Sequence, residues 1–184
     1  MIIYSLNLSE VLLVLGGLLG AVYLTAVISP GRGRSWVRQF PRHRIAGIVL
    51  TAVDLVWAAY LLYHARVELI VRFRMALFIL APLGFFLIIT HMEELLASRA
   101  LGGFLMLIPA PVLHAARMSH SDWWYVPSVL AYVLAVLGII FFLSPYRFRT
   151  MAAYWVESDQ RCRTGGLLGV AVGALLVWAG IAVY

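Results

Sequence analysis

Uncharged apolar runs alternate with short polar linkers along the whole chain. Each run is close to the length of about 20 residues that an α-helix needs to cross the roughly 30 Å hydrocarbon core of a bilayer. The pattern therefore predicts an all-α, polytopic membrane protein with six transmembrane helices. The six runs cover residues 8–28, 45–63, 75–91, 100–116, 125–144 and 166–184.

The same sequence pattern separates the two runs of each successive pair. The first run ends in an aliphatic residue followed by serine or threonine, and the second run opens on a glycine three residues after an arginine. Linkers one and five also share the pattern S-P-x-R-x-R-[S/T], at 29–35 and 144–150. A pattern that recurs predicts one structural unit used three times. The arginine and glycine pairs are Arg44 and Gly47, Arg99 and Gly102, and Arg163 and Gly166.

We interpret the repeat as three helical hairpins, at residues 8–63, 75–116 and 125–184, in one transmembrane domain that comprises residues 1–184. The sequence pattern between the runs resembles that of short uncharacterised bacterial two-span membrane proteins. This resemblance rests on motifs of a few residues, so it transfers no functional residue to this chain.

Composition and charge place the chain in a bilayer and orient it. Hydrophobic residues make up 64% of the chain and charged residues 12%. Linkers one, three and five carry ten of the 14 basic residues, all arginine, and the positive-inside rule therefore places these linkers in the cytoplasm. We expect a bacterial inner-membrane protein with both termini outside the cytoplasm. The arginines flank the spans, so they favour anionic lipid over nucleic acid as a partner.

Linkers one and five mix arginines with aromatic residues. Trp36 and Phe40 lie in linker one, and Tyr146 and Phe148 lie in linker five. Such a mixture is typical of segments that lie at the headgroup level of a membrane. We therefore predict short interfacial helices in these cytoplasmic linkers.

Asp54 is the only carboxylate near the predicted midplane of the bilayer. At helical spacing it shares a face with Thr51, Gly47 and Ala58, a small and partly polar stripe that favours contact with another helix. No arginine stands at the same depth in the predicted runs, so we expect a neutral acid. Asp54 and Thr51 are a candidate intramembrane polar site for a proton or cation. The alternative is a neutral acid that forms a hydrogen bond across a helix interface.

The second hairpin departs from the repeat at His91, Glu93 and Glu94, where the other two hairpins have proline and arginine. Imidazole and carboxylate groups are metal ligands, but these residues also stand just before a predicted helix, where carboxylates stabilise the first turn. We interpret them as candidate contacts for a partner or ligand and predict no metal site.

His64 and His114 stand at the outer ends of two predicted helices, and two histidines on neighbouring helices are what axial ligation of a b-type haem requires. They are weak candidate cofactor ligands, and we predict no cofactor. The chain carries no nucleophile elbow, zinc-binding helix motif or phosphate-binding glycine loop, so we favour a role without catalysis.

Three functions remain open from the sequence. The first is a non-enzymatic accessory or assembly subunit of a larger inner-membrane complex, with other membrane subunits as partners. The second is a small transporter or channel that couples to protons or ions through Asp54. The third is an electron-transfer subunit that carries haem.

Overall fold

The structure is a computed structural model that describes residues 7–64, 74–91, 95–119 and 123–183. Within these residues every regular element is helical and no strand occurs. The helices are α1 (Leu8–Ile28), α2 (Pro30–Gln39), α3 (Arg44–His64), α4 (Leu77–His91), α5 (Leu96–Leu107), α6 (Pro109–Met118), α7 (Tyr125–Leu143), α8 (Pro145–Trp155) and α9 (Asp159–Ala182), with short 3-10 turns at Phe40–Arg42 and Arg74–Ala76.

The described part of the chain contains five helical segments that are long and apolar enough to cross a membrane. Four are α1, α3, α7 and α9, and the fifth is the pair α5–α6, which is broken only at Ile108 before Pro109. The prediction of an all-α, multi-pass membrane protein is confirmed. The predicted sixth span is the shorter helix α4, which has 15 residues.

Two helices begin before the apolar runs that predicted them. α5 starts at Leu96, so Arg99 lies in its first turn, and α9 starts at Asp159, so Cys162 and Arg163 are helical. Ser158 explains the second start, because its hydroxyl accepts a hydrogen bond from the backbone N–H of Arg161. Hydrophobicity alone places such helix starts at the first uncharged residue, which is too late.

The S-P motif ends α1 and α7 in the same way. Ser29 and Ser144 have nearly identical non-helical dihedral angles, with φ of −134° and −130° and ψ of 72° and 71°. A residue before proline avoids the helical region, while proline itself suits the first position of a helix. The motif therefore ends a long apolar helix and begins α2 or α8, which are the helices predicted in linkers one and five.

Helices α1 and α9 pack closely and run antiparallel. A β-carbon at Gly16 would lie 2.7 Å from the backbone oxygen of Gly173, and one at Gly180 would lie 3.0 Å from that of Ser9. Further along, the ring of Tyr23 lies directly over Gly169. Small residues bring helix backbones into van der Waals contact, which favours association in lipid, where no hydrophobic drive acts between helices.

Helix α5 lies between α3 and α7. Gly47 of α3 contacts Leu96 and Ala97, and Gly102 contacts the backbone of α7 near Gly138 and Phe142. These contacts make α5 parallel to α3 and antiparallel to α7. A buried apolar cluster completes the bundle, where α6 packs between α1 and α7 through residues that include Leu12, Val112 and Ala131.

The two long helices of each predicted hairpin are not close packing neighbours in the described part of the chain. α1 packs on α9, α7 on α5, and α4 on α3. The first helix of each predicted hairpin thus packs against the second helix of a different hairpin. Helix α4 of the second hairpin packs on α3 of the first, α7 of the third on α5 of the second, and α1 of the first on α9 of the third. The prediction of three hairpins is not confirmed as a packing arrangement, because a short linker limits where the next helix starts but does not select its neighbour.

Two of the three repeat glycines make their contacts in the same register. Gly102 meets α7 at Gly138, Phe141 and Phe142, which stand six, three and two residues before Ser144. Gly166 meets α1 at positions that stand six, three and two residues before Ser29, namely Tyr23, Ala26 and Val27. Gly47 is also buried, but it contacts α5 instead.

The α1–α9 contact predicts a contrast between two glycines. Gly173→Ala should lower the free energy of unfolding by about 1–3 kcal/mol, because the new methyl group would lie 2.8 Å from the backbone of α1. Gly17→Ala should be neutral or stabilise slightly, because nothing lies within 4 Å of its β-carbon position. Thermal unfolding in mild detergent measures both, and equal effects would contradict the packing.

The predicted orientation needs introduced cysteines, because the natural Cys162 is only 6% exposed. In a Cys162→Ser background we expect an impermeant thiol reagent to label Met118→Cys in intact spheroplasts, since residue 118 ends α6 at the end of the bundle that we predict to face outward. Gln160→Cys, at the exposed start of α9, should react only after lysis. The reverse labelling pattern would invert the topology.

Candidate functional site

At the arginine-rich end of the bundle, Arg34 of α2 holds the turn between α8 and α9. Its Nε donates to the carbonyl of Val156 at 2.9 Å, Nη2 to the carbonyl of Glu157 at 3.0 Å, and Nη1 forms an ion pair with Asp159 at 2.6 Å. Arg38 also donates to the Val156 carbonyl. Carbonyls at a helix carboxyl end carry partial negative charge, so guanidinium groups suit them. This contact is structural and fixes linker one to linker five.

Asp54 faces α5. A β-carbon at Gly103 would lie 2.9 Å from the Oδ2 atom of Asp54, so the carboxyl group lies in the space that a side chain at position 103 would fill. Oδ1 is buried and has no hydrogen-bond partner among the described residues. Thr51, one turn earlier, is buried, and its hydroxyl donates to the carbonyl of Gly47 at 2.8 Å.

Unsatisfied polar atoms concentrate on α3 and α5. In the part of the chain that the structure describes, the buried side-chain atoms without a partner are Asp54 Oδ1, Trp57 Nε1, Ser98 Oγ and Arg99 Nε. Trp57 follows Asp54 by one turn, and its ring meets Phe104 of α5 edge-on at 5.5 Å between centroids. Arg99 precedes Gly103 by four residues, so it lies on the same side of α5, one turn closer to the arginine-rich end.

Helical geometry separates Ser98 from the other three residues. Ser98 precedes Gly102 by four residues and shares its row, and Gly102 faces α7. The polar atoms between α3 and α5 therefore belong to Asp54, Trp57 and Arg99. Buried polar groups are normally hydrogen-bonded, so three unsatisfied groups in one interface form the candidate functional site of this protein.

The structure divides the His91, Glu93 and Glu94 candidate. His91 ends α4 and is exposed, and its Nδ1 lies 2.9 Å from the hydroxyl of Thr90 and 3.3 Å from the carbonyl of Leu87. Glu93 and Glu94 lie outside the described residues. No group of three or more histidine, cysteine, aspartate or glutamate side chains suited to a metal ion occurs within the described residues.

His64 and His114 lie on helices that are not packing neighbours in the described part of the chain. His64 ends α3, which packs against α4 and α5, whereas His114 lies on α6 between α1 and α7. The Nδ1 atom of His64 lies 2.9 Å from the carbonyl of Tyr60, and the two rings are tilted by 42° with their centroids 4.4 Å apart. The two histidines stay weak candidate haem ligands, and our prediction of no cofactor is untested.

Sequence reasoning missed Arg99, Trp57, Gly103 and Arg34 as residues that define sites. The signal for Arg99 was its position before a repeat glycine, which we interpreted only as a charge at the membrane border. Arg34 carried a clearer signal, because it is the last arginine of the S-P-x-R-x-R motif. Neither signal identifies the partner, which depends on contacts between distant helices.

Comparison with known proteins gives one match. A family model described as an uncharacterized protein conserved in bacteria (DUF2065) matches residues 128–180. The match begins within α7 and ends within α9, so it spans most of the third predicted hairpin and none of the other two. No curated protein and no solved structure matches the chain.

The Arg34 contact predicts that lysine cannot replace arginine at this position. Arg34→Lys should lower the unfolding free energy by about 1 kcal/mol, because a single ammonium group cannot bond to two carbonyls and a carboxylate in this planar arrangement. Arg32→Lys is the matched control, since the Arg32 side chain is exposed and forms no ion pair with any described residue. Equal midpoints of thermal unfolding for the two variants would contradict the assigned role.

Proposed function

We propose that this protein is a non-enzymatic accessory or assembly subunit of a larger complex in the bacterial inner membrane. The observation that carries the proposal is helix α4. In the described part of the chain, α3 is the only helix that α4 packs closely against, and none of the residues of α4 is buried.

Pro82 makes a lipid-covered α4 unfavourable. Proline has no N–H, so the carbonyl of Phe78, one turn earlier, lacks the donor that an α-helix would supply. The hydrocarbon core contains no water to satisfy such a group, and irregular backbone at that depth is tolerated where protein covers it. A neighbouring protein helix meets this requirement better than lipid does.

Gly84 supports a helix as the occupant of this surface. Nothing lies within 4 Å of its β-carbon position, and the apolar side chains of Leu80 and Leu87, which share its helix face, are exposed. This opening, which we call the Gly84 notch, suits the close approach of another helix. We therefore propose that a transmembrane helix of a different subunit packs on α4.

The same proposal includes the finer topology. Because α3 and α5 are parallel and start at the same end, the chain between them must return across the bundle, and Phe78 at the start of α4 contacts Tyr63 at the end of α3. We propose that α4 is the sixth crossing, that the chain is a threefold repeat, and that both termini lie outside the cytoplasm. The shared register of Gly102 and Gly166 supports the repeat.

A small proton- or ion-coupled transporter is the second candidate function. It is favoured by one observation, a buried carboxyl oxygen of Asp54 that has no hydrogen-bond partner among the residues the structure describes. Intramembrane carboxylates commonly serve proton or ion pathways. An accessory role accounts for the exposed surface of α4 but gives Asp54 no role. A transporter gives Asp54 a role but does not account for the surface of α4.

Site-specific photocrosslinking in native membranes tests the accessory role. A photoreactive phenylalanine analogue at position 80, one turn before Gly84 on α4, should form an adduct with one different membrane protein at fixed stoichiometry. The same group at position 22, on α1, should form none, although Leu80 and Val22 are similarly exposed at 58% and 61%. Gly84→Leu should abolish the adduct by filling the notch, while Gly17→Leu, on α1, should leave it intact.

Three outcomes would contradict the proposal. Adducts with lipid alone would show that α4 faces the bilayer. An adduct of twice the chain mass would identify a second copy as the occupant. An adduct that survives Gly84→Leu would show that the notch does not select the partner.

A further inference from the structure

The interface between α3 and α5 contains three side chains with complementary, unused hydrogen-bonding atoms. Trp57 Nε1–H and Arg99 Nε–H can only donate, and Asp54 Oδ1 can accept. Asp54 and Arg99 do not form an ion pair in the structure, since no such pair occurs among the described salt bridges. If the interface contained no water, each of these groups would be buried without a hydrogen bond, which is energetically unfavourable.

The chemistry of these atoms selects the class of ligand. A bare metal ion cannot accept a hydrogen bond from an indole or a guanidinium, so the donors of Trp57 and Arg99 exclude it. An anion would lie against the carboxyl group of Asp54. Water both accepts from N–H donors and donates to a carboxylate, and buried waters typically make about three hydrogen bonds to otherwise unsatisfied groups.

We propose that Asp54, Trp57 and Arg99 form a hydrated proton-binding site in the α3–α5 interface. Several buried waters, linked in a chain, accept hydrogen bonds from Trp57 and Arg99 and donate to Asp54. The proton moves from a hydronium ion to Oδ1 of Asp54, where an O–H bond forms and neutral water remains. This site goes beyond the accessory role and does not depend on what covers α4.

Geometry gives the site a direction. Side chains on a helix tilt toward its amino terminus, and α3 and α5 both begin at the arginine-rich end. Arg99 lies one turn nearer that end than Gly103, close to the level of Thr51, and its side chain extends further toward that end. Protons reach Asp54 from the arginine-rich side of the membrane, while the packed rings of Trp57 and Phe104 close the opposite side.

X-ray hydroxyl-radical footprinting of the full chain in lipid nanodiscs tests for the water. Radicals form from bound water, so a hydrated Trp57 should be oxidised although it lies within the bundle. Arg99→Lys, which keeps the charge but removes the Nε–H donor, should reduce this labelling several-fold. Gly103→Ala, which fills the space beside the Asp54 carboxyl, should do the same, and Gly17→Ala should leave the labelling unchanged.

Infrared spectroscopy of the same samples tests for the proton. The C=O stretch of protonated Asp54, assigned by its loss in Asp54→Asn, should appear on acidification and shift promptly when D2O replaces H2O. A band that keeps its frequency in D2O would overturn the proposal, because it would show a dry carboxyl group. Trp57 labelling that stays unchanged in both Arg99→Lys and Gly103→Ala would also overturn it.

Discussion

Close backbone contact at glycine is the constraint on which this structure depends. In lipid the hydrophobic effect does not drive apolar helices together. Their association therefore relies on helix surfaces that fit closely without a side chain between them. Gly16 and Gly173 provide this fit between α1 and α9, and Gly102 and Gly138 provide it between α5 and α7. A methyl group at any of these four positions would meet backbone or β-carbon atoms, or Met106 in the case of Gly138, at less than 3 Å.

The crosswise pairing of helices follows from where these glycines lie. The first and last helices meet, and Arg34 then joins the linker after α1 to the turn before α9. Ends of the chain that are far apart in sequence are thereby held together in the membrane and at its surface. In the described part of the chain, helix α4 lies at the periphery with α3 as its one close helical neighbour, which is why we propose that a partner packs there.

The apolar runs predict most of the helices, because a bilayer allows few ways to satisfy a backbone. The choice of neighbours could not be predicted, since helices that are apolar on all sides do not indicate which face packs. For the same reason, the small residues near Asp54 indicated that it lies in a helix interface, but they could not predict that its carboxyl group contacts Gly103. Arg99 was missed because α5 begins at Leu96, before the apolar run, and includes this charge in its first turn.

Oxidative crosslinking of paired cysteines tests the crosswise packing most directly. A β-carbon at Gly180 would lie 3.4 Å from that of Leu12, close to the separation of about 3.5–4.5 Å in disulfides. In a Cys162→Ser background, Leu12→Cys with Gly180→Cys should form an intramolecular disulfide under mild oxidation, which proteolysis between the spans followed by gel analysis detects. Leu12→Cys with Ala59→Cys, on α3, should not. Crosslinking of the second pair and not the first would show that the helices pack as sequential hairpins and would contradict this account.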